Sequence, residues 1–120
     1  MTQQSAENTL TLASIGVDIC KEVFHIVGFD PVGRVVLRRK IKRLSLEAEF
    51  KKLPPSIVGM EACLSAHFVS RMLHRPGHKP RIIPAIYVKP YLKGQKNDYN
   101  DAEAIAEAVL RSTPDVIPDR

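Results

Sequence analysis

Three short apolar runs rich in β-branched residues crowd the first 41 positions: Leu10–Asp18 (LTLASIGVD), Val23–Phe29 (VFHIVGF) and Arg34–Ile41 (RVVLRRKI). Runs of this length and composition read as strands. The second and third are separated only by Asp30-Pro31-Val32-Gly33, a sequence suited to a tight turn, so they must pair antiparallel. The outer half of the third run is basic, which suits an exposed edge or a ligand-facing end. After this meander the pattern changes. Ser45 opens a short helix that stops before Pro54-Pro55, and Ile57–Glu61 is a brief buried strand. Ser65–Arg75 repeats its apolar residues with helical spacing up to Pro76-Gly77, and Pro80–Pro84 is a fifth strand. Ile86–Leu92 reads either as irregular or as one helical turn, Lys93–Asn97 as a loop, and Asp98–Arg111 as an amphipathic helix. The order βββαβαβα predicts an α/β domain: a mixed five-stranded sheet with helices on its faces, as in the ribonuclease H-like fold.

A length of 120 residues suits one domain with a modest core. Residues 1–9 are expected to form a disordered polar tail and 10–120 the domain. No apolar run approaches the roughly 18 residues that span a bilayer. The first nine residues lack the basic start of a secretory signal. Two cysteines without an export signal fit free thiols in a reducing compartment, so a cytoplasmic protein with no membrane partner is expected. The net charge of +5 conceals a segregation. Pro31–Asn97 holds 15 Lys+Arg and only three acids, Glu47, Glu49 and Glu61, a balance of +12, whereas the flanks balance at −7. A basic middle of this kind reads as a surface for a polyanion.

Two of the acids end apolar strands: Asp18 follows Ile15-Gly16-Val17 and Glu61 follows Val58-Gly59-Met60. Ligands of open α/β sheets collect beyond the carboxyl ends of strands, and the first and fourth strands are neighbours in this topology. Asp98 and Asp101, three apart at the start of the last helix, share one helical face. Four carboxylates so arranged are suited to Mg²⁺ or Mn²⁺ and to phosphodiester chemistry. Each acid also has a plainer reading: Asp98 and Asp101 as acids favoured at a helix start, Asp18 as a turn residue, and Glu61 as an arginine partner.

The stretches IGVDICKEVFHIVGFDPVGRVV (15–36), VGMEAC (58–63), PAIYVKPYLKGQKNDYNDAEAIAEAV (84–109) and VIP (116–118) closely resemble the DEDD-type insertion-sequence transposases, the pilin-gene-invertase-related family. The resemblance implies an N-terminal RuvC-like domain in which Asp18, Glu61, Asp98 and Asp101 match the family's acidic tetrad. It implies Mg²⁺-dependent DNA cleavage and strand exchange, DNA as a partner, a structured guide RNA in some members, and homo-oligomers of the full-length protein. Family members carry a second, C-terminal domain that supplies a serine nucleophile. That domain is expected to be absent here, so no nucleophile is expected in this chain and the domain alone is expected to be inactive.

Arg38, Arg39, Lys40, Lys42 and Arg43 form the densest basic cluster. Lys89, Lys93 and Lys96, with Tyr87, Tyr91 and Tyr99 interspersed, form a second group that suits phosphate pairing combined with base stacking. The plain alternatives are a solvated face for the cations and packing against a helix for the tyrosines. Cys20, Cys63 and His67 offer a zinc site only weakly, since they lack paired spacing, and buried thiols are the simpler reading. His25 reads as structural, His67 as a residue able to face the acids, and His74 and His78 as surface loop residues. Two other functions stay open: a non-catalytic RNA- or DNA-binding module, and an actin-like-fold phosphotransferase fragment. Ile19-Cys20-Lys21 after Asp18 argues against the latter, because a phosphate loop needs glycine and a hydroxyl there.

Overall fold

Apolar, β-branched runs in the first half of the chain produce a sheet, and the computed structural model shows how it is covered. It describes residues 12–19, 22–63, 65–75, 77–92, 98–111 and 117–118. Strands β1 (Ser14–Ile19), β2 (Val23–Phe29) and β3 (Val35–Lys42) form an antiparallel meander. A 3₁₀ turn, Arg43–Ser45, leads into helix α1 (Leu46–Lys51). Then follow β4 (Ile57–Glu61), α2 (Ala66–His74), β5 (Lys79–Ile83), the short α3 (Ala85–Val88) with a 3₁₀ turn at Lys89–Tyr91, α4 (Asp98–Arg111) and β6 (Ile117–Pro118). The sheet order is β3-β2-β1-β4-β5-β6, with β4 parallel to both β1 and β5. The five expected strands make the body of the sheet, and β6 adds two residues antiparallel to β5 at its far edge.

The β2–β3 turn is closed by Asp30, whose carboxylate accepts the backbone N–H groups of Val32 (3.0 Å) and Arg34 (2.9 Å). The Arg34 N–H, more than any other group, holds this carboxyl below its ordinary pKa. Gly33 takes the left-handed φ of +96° that completes the turn. A shift of register between Gly28 and Phe29 sets one extra β3 residue against β2, a bulge next to the turn.

The two faces of the sheet are covered differently. One carries Ile15 and Val17 of β1, Phe24 and Ile26 of β2, Leu37 and Ile41 of β3, and Val58 and Met60 of β4, packed under Leu46 and Phe50 of α1 and Val69 and Leu73 of α2. The other is covered by α4, which is lined with alanines: Ala102 and Ala106 meet Val27 and Phe29, while Ala104, Ile105, Ala108 and Val109 meet Ile83 and Val88. Small residues on both sides allow a close approach. A Cβ at Gly16 would collide with the Ala102 carbonyl and the Ala106 backbone nitrogen, and one at Gly59 with Val109. The buried Ser14 hydroxyl donates to the Ala106 carbonyl at 2.8 Å, which fixes the height of α4 along β1.

Most expected elements stand where the pattern puts them, and the differences have local causes. The first strand spans Ser14–Ile19, and positions 1–11, which hold the expected polar tail and the start of the expected run at Leu10, lie outside the described residues. Ile86–Leu92 resolves into a helical turn and a 3₁₀ turn, with Pro84 before the first and Pro90 inside the second. His78 is a correction. It is buried rather than a surface loop residue: the Ser56 N–H donates to its Nδ1 (3.2 Å), its Nε2 meets the Phe50 carbonyl (2.7 Å), and its ring stands edge-on to Phe50. Proximity to Pro76-Gly77 concealed a side chain that ties α1 to the loop before β4.

Because backbone rather than side chain opposes Gly16, no rotamer change can relieve a methyl group there. Gly16→Ala is expected to lift α4 off β1 and to cost about 3 kcal/mol of stability, measured by urea unfolding.

Candidate active site

Registers fix a row of side chains across four strands. Asp18 of β1 pairs with His25 of β2, and His25 pairs with Lys40 of β3. On the other side of β1 the parallel register runs Gly16 to Gly59 and Val17 to Met60, so the next level brings Asp18 beside Glu61. Val17 and Met60 both belong to the core beneath α1 and α2, so Asp18 and Glu61 belong to the opposite face, that of α4. The row therefore reads Glu61, Asp18, His25, Lys40, at about 4.8 Å per strand.

The first turn of α4 stands over this row. The ring of Tyr99 meets that of His25 edge to face, with centroids 4.9 Å apart and planes at 89°. The guanidinium of Arg38 lies 4.6 Å from the centre of the same Tyr99 ring. This stack joins β2, β3 and α4 at the helix start, where Asp98 and Asp101 lie in sequence. Asp101 and Asp18 are half-buried and Glu61 is exposed, so the end of β4 is open to solvent while that of β1 is partly roofed. The side chain of Asp98 lies outside the described residues.

The donor set fits a hard divalent cation: oxygen ligands only, two of them on adjacent parallel strand ends. Among the described residues, no three His, Cys, Asp or Glu side chains gather about one point. That statement covers Asp18, Glu61 and Asp101 but not the side chain of Asp98. It also bears on zinc: Cys63 is an exposed free thiol, His67 is exposed on α2, and Cys20 lies outside the described residues.

The basic cluster is divided by the sheet. Arg39 points to the α1 face, where its guanidinium meets Glu49 at 3.4 Å, and Arg43 lies over the Phe24 ring at 5.6 Å. Arg38 points to the α4 face, and strand alternation puts Lys40 and Lys42 with it, all three exposed. Lys89 and Tyr87 are exposed, whereas Tyr91 is half-buried against the core beneath α4. Lys93 and Lys96 lie outside the described residues.

The sequence shows His25 as a structural strand residue and Tyr99 as a stacking tyrosine of the second basic group, not the contact that joins the two at this site. The signal was present for His25, since a short hairpin fixes which β2 residue lies opposite the end of β1. Tyr99 left no comparable signal, because its contact joins elements far apart in the chain.

Comparison with known proteins follows from this geometry. No family model matches the chain. It is 46% identical over 109 residues to the Pseudomonas aeruginosa protein described as "Probable family 20 transposase". It is 39% identical over 106 residues to the transposase for insertion sequence element IS1328 of Yersinia enterocolitica, and 41% over 99 residues to that for IS1111A of Coxiella burnetii. These matches cover 91%, 88% and 82% of the chain but 32%, 32% and 27% of the relatives, so the chain spans about a third of their length. Among solved structures, Thermus thermophilus RuvC in complex with a Holliday junction substrate superposes with a TM-score of 0.65 at 12% identity, covering 81% of this chain and 91% of that one. A second structure of the same protein gives 0.62 at 11%, covering 87% and 99%. At that identity the likeness shows the fold.

The stack predicts a specific stability pattern. Tyr99→Leu loses both ring contacts and is expected to cost about 1–2 kcal/mol, with faster hydrogen exchange confined to the first turns of α4. Tyr99→Phe keeps both rings and is expected to remain within about 0.5 kcal/mol of the parent by the same measurements.

Proposed function

Since this chain is a RuvC-like domain related to insertion-sequence transposases, we propose that it is the metal-holding, nucleic-acid-binding part of a DNA transposase. The observation that supports this most is the adjacency of Asp18 and Glu61, two carboxylates at the ends of neighbouring parallel strands on the face that α4 covers. In this reading Asp18, Glu61, Asp98 and Asp101 hold Mg²⁺ or Mn²⁺, with Asp18 and Glu61 fixed by the sheet and the two helix acids brought in by α4. When bound, such ions stabilise the attacking and leaving oxygens of a phosphodiester displacement. The chain's own residues bind and orient the strand: the exposed cations that β3 presents on the α4 face attract its backbone, and the acids keep phosphate away from strand ends that hold no ion.

Cleavage and strand exchange of DNA, guidance by a structured RNA, and assembly into homo-oligomers belong in this reading to the longer protein. The nucleophile comes from outside this stretch, which by itself binds nucleic acid without recombining it. Its place of work is the cytoplasm, in keeping with the absence among the described residues of any helix long and apolar enough to cross a membrane.

One observation favours a second reading, a nucleic-acid-binding module without catalysis: among the described residues no three ligating side chains gather. Titration with Mn²⁺ and Mg²⁺ separates the two. The wild-type chain is expected to bind saturably in calorimetry and to gain about 2.7 kcal/mol of stability at a hundredfold excess over Kd. The Asp18→Ala, Glu61→Ala double variant is expected to gain nothing. Identical titrations of the two proteins would sink the metal site, and nucleic-acid binding indifferent to either ion would leave the binding module.

A further inference from the structure

The five cations of β3 and its 3₁₀ turn, Arg38, Arg39, Lys40, Lys42 and Arg43, look equivalent in sequence, but the fold gives them different surroundings. On the α1 face the two helix acids of the basic middle are already engaged. Glu49 meets Arg39 at 3.4 Å and Lys52 at 3.8 Å, and Glu47 meets Arg75 at 3.3 Å. Arg43 is held over the Phe24 ring. On the α4 face the situation reverses. Among the described residues, Arg38, Lys40 and Lys42 make no ion pair, and all three are exposed. They recur at every second position of an edge strand, so they form a straight stripe. α4 packs over β1, β2 and β4, and β3 lies at its margin, so the stripe is not roofed. Its middle member, Lys40, stands in the same transverse row as Asp18 and Glu61, with only His25 between.

We propose that the α4-facing stripe Arg38, Lys40, Lys42 is the track along which a single nucleic-acid strand lies, its sugar-phosphate backbone on the cations and one phosphate delivered toward Asp18. Arg39 and Arg43 take no part in it. The chemistry required of the ligand is a run of closely spaced phosphodiesters, which either DNA or RNA supplies. Arg38 serves twice, because the face that stacks on Tyr99 leaves the edges of its guanidinium free to donate hydrogen bonds to phosphate. The track therefore ends against the same ring that anchors the start of α4, which ties the position of the strand to that of the helix acids.

The assignment rests on the nucleic-acid reading above, and a salt titration tests the two separately. The full 120-residue chain is titrated against fluorescein-labelled single-stranded DNA and RNA of one sequence at several salt concentrations, with anisotropy as readout. Lys40→Gln, Lys42→Gln is expected to weaken binding at least several-fold and to reduce the slope of log affinity against log salt by about 1.4, roughly 0.7 per lost phosphate contact. Arg39→Gln is expected to leave slope and affinity unchanged. Thermal unfolding of both variants should match wild type, since these side chains are exposed. Tighter binding of the RNA or of the DNA names the strand that uses the track, and either supports it. Salt-dependent wild-type binding with equal losses in the two variants, or with no loss in the double variant, overturns the track alone. Failure of the wild-type chain to bind either strand overturns the nucleic-acid reading and the track together.

Discussion

The close approach of α4 to the sheet governs the rest of this molecule. At Gly16 and Gly59 the helix touches the strands where a methyl group could not fit, and Ala102 and Ala106 answer from the helix side. Contact at this distance brings the helix axis nearer than leucine-sized residues would allow. It fixes which turn of α4 lies above which level of β1, and the Ser14 hydroxyl locks that height. Were the helix to ride higher, Tyr99 would lose His25, and the acids at its start would stand away from the strand ends. The geometry of a polar site is thus set by an apolar contact two levels below it.

Charge is arranged by the same sheet. On its α1 face both glutamates of α1 are engaged, Glu49 with Arg39 of β3 and Glu47 with Arg75 just after α2. Exposed pairs of this kind add little stability, but they cancel field. The α4 face keeps Asp18 and Glu61 in the centre of the sheet and Arg38, Lys40 and Lys42 at its edge. The exposed β3 edge also carries enough lysine and arginine to discourage another strand from pairing with it.

Much of this was legible in the sequence. Asp18 and Glu61 were visible as acids ending apolar runs, and the turn at Asp30–Gly33 fixed the meander. The limits of α4 followed from its alanine-rich period, and kinship to transposases was readable from the motifs around those same residues. What escaped depends on contacts between distant segments. His78 looked like a loop residue because nothing local signals its bonds to Phe50 and Ser56. The basic cluster looked uniform because sheet faces become distinguishable only when one knows that Leu37 and Ile41 point inward. Tyr99 invited comparison with Tyr87 and Tyr91, though its partners come from β2 and β3.

Sequence distance has a further consequence for how the site comes into being. The β2–β3 hairpin is closed by five residues and can form early, whereas the Ser14–Ala106 hydrogen bond spans 92 positions. Asp18 and Asp101 lie near the two ends of that span, so the loop-closure entropy of nearly the whole domain must be overcome before α4 docks on β1. The strand meander can therefore exist as a partly ordered platform, and docking of α4 is the step that covers its second face. A chain growing from its N-terminus therefore has its cationic β3 edge before α4 has been made.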